Sequence, residues 1–133
     1  MTTRATATFE IIAWDETPYE EPADGPRLGR VAVRKVFRGD VEAESTAELL
    51  TSQSADGGAG YVASERVVGR VGDRAGSFVL QHGGLHDGGV PLRQFGHVVP
   101  GSGTGELRGL RGDAVFQHDE HGATFTLDYD FAE

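Results

Sequence analysis

Hydrophobic and polar residues alternate with a period of two along most of the chain. In TATFEIIAW (6–14), the pattern predicts Ala7, Phe9 and Ile11 on one face and Trp14 on the other. Successive side chains of a strand point to opposite faces, so this alternation is typical of strands with one buried face. Seven further segments show it: RVAVRKVF, DVEAESTAELL, GYVASERVVGRV, GSFVLQHGGL, GVPLRQFGHVV, GELRGLRGDAVF and ATFTLDYDF.

The segment VEAESTAELL also has the Ala, Glu and Leu content of a helix. Its neighbours on both sides are strand candidates separated by short turns, which favours a continuous meander. We therefore predict a strand here.

Turn-forming residues separate the predicted strands. Asp56-Gly57 and Asp87-Gly88 are hairpin signals, because such dipeptides tolerate positive φ. About eight short strands at this spacing indicate a sandwich or a barrel, and closure into a barrel leaves no unpaired sheet edges. We predict an all-β protein, an eight-stranded antiparallel barrel in one domain spanning residues 1–133.

Residues 15–27 form the longest stretch without periodicity and contain Pro18, Pro22 and Pro26. We predict a long loop here. A loop of this length in a small β domain is a candidate lid or subunit contact, or a surface excursion without function.

Composition narrows the classes of partner. The chain has 21 acidic and 12 basic residues, a net charge of −9, and no cysteine. An acidic surface repels phosphate backbones and anionic lipids, so we expect neither nucleic acid nor membranes as partners. Without a signal-like start or a long apolar run, the expected location is the cytoplasm.

The glycine-rich segment VVPGSGTGELRGLRG (98–112) has two interpretations. A phosphate-binding loop needs a following helix, and the Walker type also needs Lys-Ser or Lys-Thr. No such pair follows, and Gly109 and Gly112 would break a helix. We therefore predict a corner between strands.

Four segments carry a resemblance to a known family: FEIIAWDETPY, GSFVLQH, VVPGSGTGELRGLRG and TLDYDF. The chain resembles the bacterial DUF3224 family from Thr3 to Phe131, with His97 and Pro91 as departures. The family in turn is similar to allene oxide cyclase and dirigent barrels. The resemblance implies an eight-stranded antiparallel barrel, and by fold-level analogy a cyclase or isomerase.

Carboxylates are the first candidates for chemistry. Glu44 and Glu48 share a strand face, Glu65 lies within a strand, and Asp128 alternates with apolar residues. A carboxylate in a polar lumen would have a raised pKa and could act as a general acid or base. We name Glu65, Glu48 and Asp128 as candidate catalytic residues. Arg34 and Arg66 are the expected counter-charges, which would push the pKa of such a carboxylate back down.

Polar and aromatic side chains complete the predicted site. Tyr61, Gln81 and His82 could donate hydrogen bonds inside a lumen, or satisfy backbone groups at strand ends. We include Trp14 and Glu44 as further ligand-binding candidates.

The histidines give a weaker signal. His82 and His86 would share a face unless Gly83 and Gly84 form a bulge between them. HDEH (118–121) could chelate a metal, but it reads better as a hairpin tip. We expect no metal and no cofactor.

Three functions remain open from the sequence. The first is a barrel that binds a small apolar molecule and acts as a cyclase or isomerase. The second is a ligand carrier or oligomeric structural module without catalysis. The third is acid hydrolysis by two converging carboxylates among Glu44, Glu48, Glu65, Asp128 and Asp130. A homo-oligomer is compatible with all three.

Overall fold

The structure is a computed structural model that describes residues 2–120 and 122–132, and these are almost entirely β-strand. One short 3-10 helix, Gly105–Leu107, interrupts the strands. The strands are β1 (Thr3–Glu20), β2 (Arg27–Gly39), β3 (Val41–Gln53), β4 (Gly58–Val71), β5 (Arg74–Asp87), β6 (Val90–Val98), β7 (Leu110–Asp119) and β8 (Gly122–Phe131).

Each strand pairs with its neighbours in chain order, and β8 returns to β1, so the sheet closes into a barrel. All pairings are antiparallel. The predicted all-β, eight-stranded antiparallel barrel is confirmed. The segment VEAESTAELL is strand throughout, as predicted, because both its neighbours pair with it along its length.

Apolar side chains fill one part of the lumen. Phe9, Phe37, Phe78 and Phe125 are all buried there, and the rings of Phe37 and Phe125 meet edge to face at 5.2 Å. Burying one such side chain stabilises the fold by about 1.5–3 kcal/mol. The alternation of the sequence therefore marks which side of each strand faces this core.

The strands differ in length, and this leaves part of the sheet unclosed. β1 pairs with β8 only from Thr3 to Thr8, and β6 pairs with β7 only at His97 and Asp113. The longer strands β1–β5 continue past the closed part of the barrel. One end of the lumen is therefore bordered by sheet on one side only.

The prediction of a loop over residues 15–27 is wrong in its extent. Strand β1 continues to Glu20 by pairing with β2, and only residues 21–26 connect the two strands. Pro18 lies within this pairing, opposite Gly29. Proline is accepted here because no strand pairs with the other side of β1 at this point.

The glycine-rich segment replaces a missing strand beside the first half of β5. The Val99 N–H donates to the Val79 carbonyl, and the Thr104 N–H donates to the Ser77 carbonyl. The side chains of Ser102, Thr104 and Glu106 accept hydrogen bonds from backbone N–H groups of β5. The segment thus supplies both side-chain and backbone partners to an edge that β6 does not reach.

Glycines allow close backbone approach where the barrel closes. A Cβ at Gly96 would overlap the Ala114 carbonyl oxygen, and one at Gly112 would overlap the Asp128 carbonyl oxygen. These positions therefore have no room for any side chain.

We expect Gly112→Ala to lower the free energy of unfolding by about 1–3 kcal/mol, because the new methyl group forces β7 away from β8. Urea denaturation measures the change. Gly58→Ala is the control, since its Cβ would meet only the Ser54 Cβ at 3.8 Å. Equal stability of the two variants would contradict this account of barrel closure.

Candidate functional site

Glu65 lies inside the barrel, in the middle of β4, and its side chain has no solvent exposure. The alternation of the strand directs Ser64 and Arg66 outward and Glu65 inward. A buried charge is costly unless other groups pair with it and donate hydrogen bonds to it.

Three side chains donate hydrogen bonds to the Glu65 carboxylate. Oε1 accepts from Lys35 Nζ at 3.1 Å and from His82 Nε2 at 2.7 Å. Oε2 accepts from Ser45 Oγ at 2.6 Å. The donors come from β2, β5 and β3, so the carboxylate ties three strands to β4.

His82 extends this network to Tyr61. The Tyr61 hydroxyl lies 3.0 Å from His82 Nδ1. Because Nε2 donates to Glu65, a neutral imidazole leaves Nδ1 as the acceptor for the Tyr61 hydroxyl. A continuous hydrogen-bonded chain therefore runs from the buried Glu65 to Tyr61, which is half-buried.

Electrostatics favour a charged Glu65 and a neutral Tyr61. Burial alone would raise the pKa of Glu65, but the hydrogen bond from His82, the charge of Lys35 and the Ser45 hydroxyl together bring the pKa below 4.5. Burial, and then the charge of Glu65, raise the pKa of Tyr61 above 10.0. Burial lowers the pKa of Lys35 below 10.5, against the attraction of Glu65.

Aromatic rings enclose the cationic side of the network. The Phe116 ring lies 4.6 Å from the His82 ring, between centroids. The Lys35 ammonium lies 4.2 Å from the centroid of Phe116 and 5.2 Å from that of Phe9. His118 continues this wall with an edge contact to Phe9 at 5.2 Å. The polar chain thus borders an apolar surface at the open end of the lumen.

The structure brings together three residues that the sequence singled out, namely Glu65, His82 and Tyr61. Glu44, Glu48 and Asp128 do not join them. They lie on the outer face of the barrel, and Asp128 forms an ion pair with Arg4 at 2.8 Å. Their placement in a lumen was wrong, because these positions alternate with the inward-facing apolar residues of their strands.

The remaining ligand-binding candidates also lie outside the network. Gln81 is on the outer face, where its amide donates to Ser64 Oγ at 3.1 Å. Trp14 pairs with Val33 on the lumen side, because a bulge at Ile12 reverses the predicted alternation. It lies beyond the closed part of the barrel and is 54% exposed.

The predicted counter-charges were also wrong. Arg34 and Arg66 point outward, and Lys35 neutralises Glu65 instead. Burial raises the pKa of Glu65, and this pKa is brought back down, as expected of a counter-charge, but by the hydrogen bond from His82 and the charge of Lys35. The sequence held a signal for Lys35, which has the same parity as the buried Val31, Val33 and Phe37. Ser45 and Phe116 carried the same signal, because each lies in phase with the buried alanine two residues away, Ala47 and Ala114 respectively.

The two predictions for the histidines have different outcomes. His82 and His86 lie on the same face of β5, because the pairing of β5 with β4 is regular from one to the other. A bulge occurs only in the pairing of β5 with β6, between Leu85 and His86. His121, the last residue of the HDEH segment that could chelate a metal, lies outside the described residues. Among residues 2–120 and 122–132, no three His, Asp or Glu side chains are grouped to hold a metal. The same ranges contain no helix long and apolar enough to cross a membrane.

Comparisons with known proteins identify relatives without an assigned function. The sequence model of a family described as "Protein of unknown function (DUF3224)" matches residues 5–131. A crystal structure of a DUF3224 protein of unknown function from Shewanella oneidensis MR-1 is 36% identical, with a TM-score of 0.84. The alignment covers 100% of each chain. A search of the curated proteins finds no match.

We expect Lys35→Met to lower the free energy of unfolding by about 3–5 kcal/mol, because it leaves Glu65 as a buried charge without its cation. The double variant K35M/E65L should be more stable than K35M alone, since it removes that charge. Chemical denaturation measures both. Arg38→Met, on the outer face of the same strand, is the control. Equal losses in the single and double variants would exclude a coupled pair.

The pKa of Glu65 predicts a dependence of stability on pH. The folded-state pKa is below 4.5, so the unfolded chain takes up this proton first as the pH falls. The stability contributed by the ionised carboxylate is therefore lost below about pH 4.5. We expect the difference in unfolding free energy between wild type and Glu65→Gln to shrink from pH 6 to pH 3. A constant difference in urea denaturation would contradict this.

Proposed function

This chain belongs to the DUF3224 family, and we propose that its barrel binds a small, mainly apolar molecule at the open end of the lumen and isomerises it by proton transfer. The observation that carries the proposal is the hydrogen-bonded chain from buried Glu65 through His82 to half-buried Tyr61. Phe9 and Phe116 provide the adjoining apolar wall. This combination suits a ligand with a hydrocarbon body and one oxygen atom.

A gain in stability is a poor reason to keep these groups in the lumen. Replacing a buried ion pair by apolar residues of similar volume is often neutral or stabilising. Buried groups with perturbed pKa values and specific charged partners concentrate at functional sites. Lys35 and Glu65 have both properties.

The geometry supports His82 as the base. With Nε2 donating to Glu65, Nδ1 is free to take a proton once a ligand displaces the Tyr61 hydroxyl. The proton comes from the carbon next to the ligand's carbonyl group, and the electron pair moves toward the carbonyl oxygen. Glu65 stabilises the imidazolium without taking the proton itself.

Tyr61 serves the oxygen in this scheme. Its raised pKa keeps the hydroxyl protonated, so it can donate a hydrogen bond to the oxygen as negative charge develops there. In a β,γ-unsaturated ketone the resulting dienolate takes the proton back from the His82 imidazolium at the γ-carbon, and the double bond moves into conjugation with the carbonyl group, which completes an isomerisation. No proton is gained or lost overall.

A ligand carrier without catalysis is the second candidate. Both oxygens of Glu65 are already hydrogen-bonded within the protein, and the Phe116 ring covers one side of His82. A network closed in this way can hold a ligand's oxygen atom through Tyr61 without transferring protons. Both candidates predict binding, and only the first predicts exchange of ligand protons.

The test uses 2-decanone as a probe, an apolar chain with one carbonyl group. Binding is followed by thermal shift and NMR titration, and exchange of its α-protons by ¹H NMR in D₂O. We expect Tyr61→Phe to bind the probe and to lose about 10²-fold in exchange rate. His82→Gln should abolish exchange. Tyr129→Phe, which alters a tyrosine outside the network, is the matched control.

The outcomes separate the two candidates. Binding with exchange no faster than in buffer would overturn the isomerase and support the carrier. Absence of binding to the wild type, over methyl ketones of six to twelve carbons, would overturn both. Equal exchange in Y61F and Y129F would remove Tyr61 from the mechanism.

A further inference from the structure

A groove of about 570 Å³ crosses the outer face of β1–β5, on the other side of the sheet from the lumen network. The outward-facing side chains lie in two rows, because residues two apart in a strand share a face. Its outward-facing lining residues are Ala13, Arg34, Thr46, Arg66 and Val79 in one row, and Asp15, Ala32, Glu48 and Ser64 in the other.

Arg34, Thr46 and Arg66 are direct neighbours across three strands. Thr46 on β3 is paired with Arg34 on β2 and with Arg66 on β4. Neighbouring strands are about 4.8 Å apart, so the two arginine positions are separated by about 10 Å, with the threonine between them. Two guanidinium groups at this separation can both reach an anion placed over Thr46.

Neither arginine has an ion pair with the residues that the structure describes. Other arginines of the chain do: Arg4 pairs with Asp128, Arg27 with Glu16 and Arg111 with Asp130. The protein has a net charge of −9, so acidic partners are abundant. Most arginines among the described residues likewise have no ion pair, so what distinguishes Arg34 and Arg66 is that they line one groove on either side of Thr46.

The acidic residues of the same groove limit what can bind. Asp15 and Glu48 lie in the adjacent row, and neither is within ion-pair distance of Arg34 or Arg66. They would repel an extended polyanion that follows the groove. Glu44 and Glu48 flank Thr46 on the outer face of β3, about 7 Å away along the strand. A compact anion over Thr46 must therefore gain more from Arg34 and Arg66, about 5 Å away across the neighbouring strands, than it loses by repulsion from these two carboxylates.

We propose that this groove binds the oxyanion of a small molecule, a carboxylate or a phosphate monoester, with Arg34 and Arg66 as charged donors and the Thr46 hydroxyl as a third donor. Arginine presents paired N–H groups that match both oxyanions. The volume is within the usual range for small-molecule sites. The site is separate from the lumen and does not depend on the function proposed for it.

The experiment is an NMR titration of the ¹⁵N-labelled protein, following the arginine Nε–Hε resonances. The probes are inorganic phosphate and acetate, each compared with sodium chloride at equal ionic strength. We expect a saturable shift of the Arg34 and Arg66 signals at millimolar concentrations. A larger response to phosphate assigns a phosphate ligand, and a larger response to acetate assigns a carboxylate ligand.

Variants test the assignment. Arg34→Gln and Arg66→Gln should each weaken binding at least tenfold, and the double variant should abolish the saturable response. Arg30→Gln is the matched control, because Arg30 is an exposed arginine of the same strand outside the groove. The backbone spectrum verifies that each variant is folded. Shifts that do not saturate, that chloride reproduces, or that persist in R34Q/R66Q would overturn the proposal.

Discussion

Glu65 stays ionised inside the barrel only while Lys35, Ser45 and His82 keep their hydrogen bonds to it. These partners come from three different strands, so one carboxylate sets the relative positions of β2, β3, β4 and β5. A shift of any of these strands would leave a buried charge or a buried donor unpaired, which costs more than loss of an apolar contact. Packing of the phenylalanine core, by contrast, tolerates small displacements of individual side chains.

The unequal strands place this network at a boundary within the lumen. On one side the aromatic core fills the closed barrel, and on the other the sheet extends without a complete wall. Tyr61 lies at the transition, half-buried, with its hydroxyl directed back toward His82. The glycine-rich segment contributes indirectly, because it partners the edge of β5 and lets the barrel close without a longer β6. Tyr61 is therefore held in place by the buried network and is at the same time partly accessible to solvent.

The two-residue period and the closely spaced turn residues were sufficient to predict about eight antiparallel strands. The barrel was preferred to a sandwich because closure leaves no unpaired sheet edges. Glu65, His82 and Tyr61 were offered for a lumen beside other interpretations, and their side chains do meet inside the barrel. Glu48 and Asp128 were offered as lumen residues although they alternate with the inward-facing apolar residues of their strands, so the alternation itself assigns them to the outer face. Lys35 was not named as a partner of Glu65, although it lies on the same face as the buried valines of β2. Beyond Thr8, strand β1 pairs with β2 alone and so extends to Glu20. No local sequence pattern predicts a pairing partner, so this extension could not be predicted.

The two sides of the sheet carry related triplets. Arg34, Thr46 and Arg66 outside are the chain neighbours of Lys35, Ser45 and Glu65 inside. If β2, β3 and β4 slipped by one residue, the outer triplet would enter the lumen and the inner one would leave it. The slipped strands would turn the buried valines of β2 and β4 to solvent and would bring Glu44 and Glu48 inside together with Arg34 and Arg66. The inner triplet and the apolar face of the same strands therefore specify one register together, and a slip of one residue loses both at once.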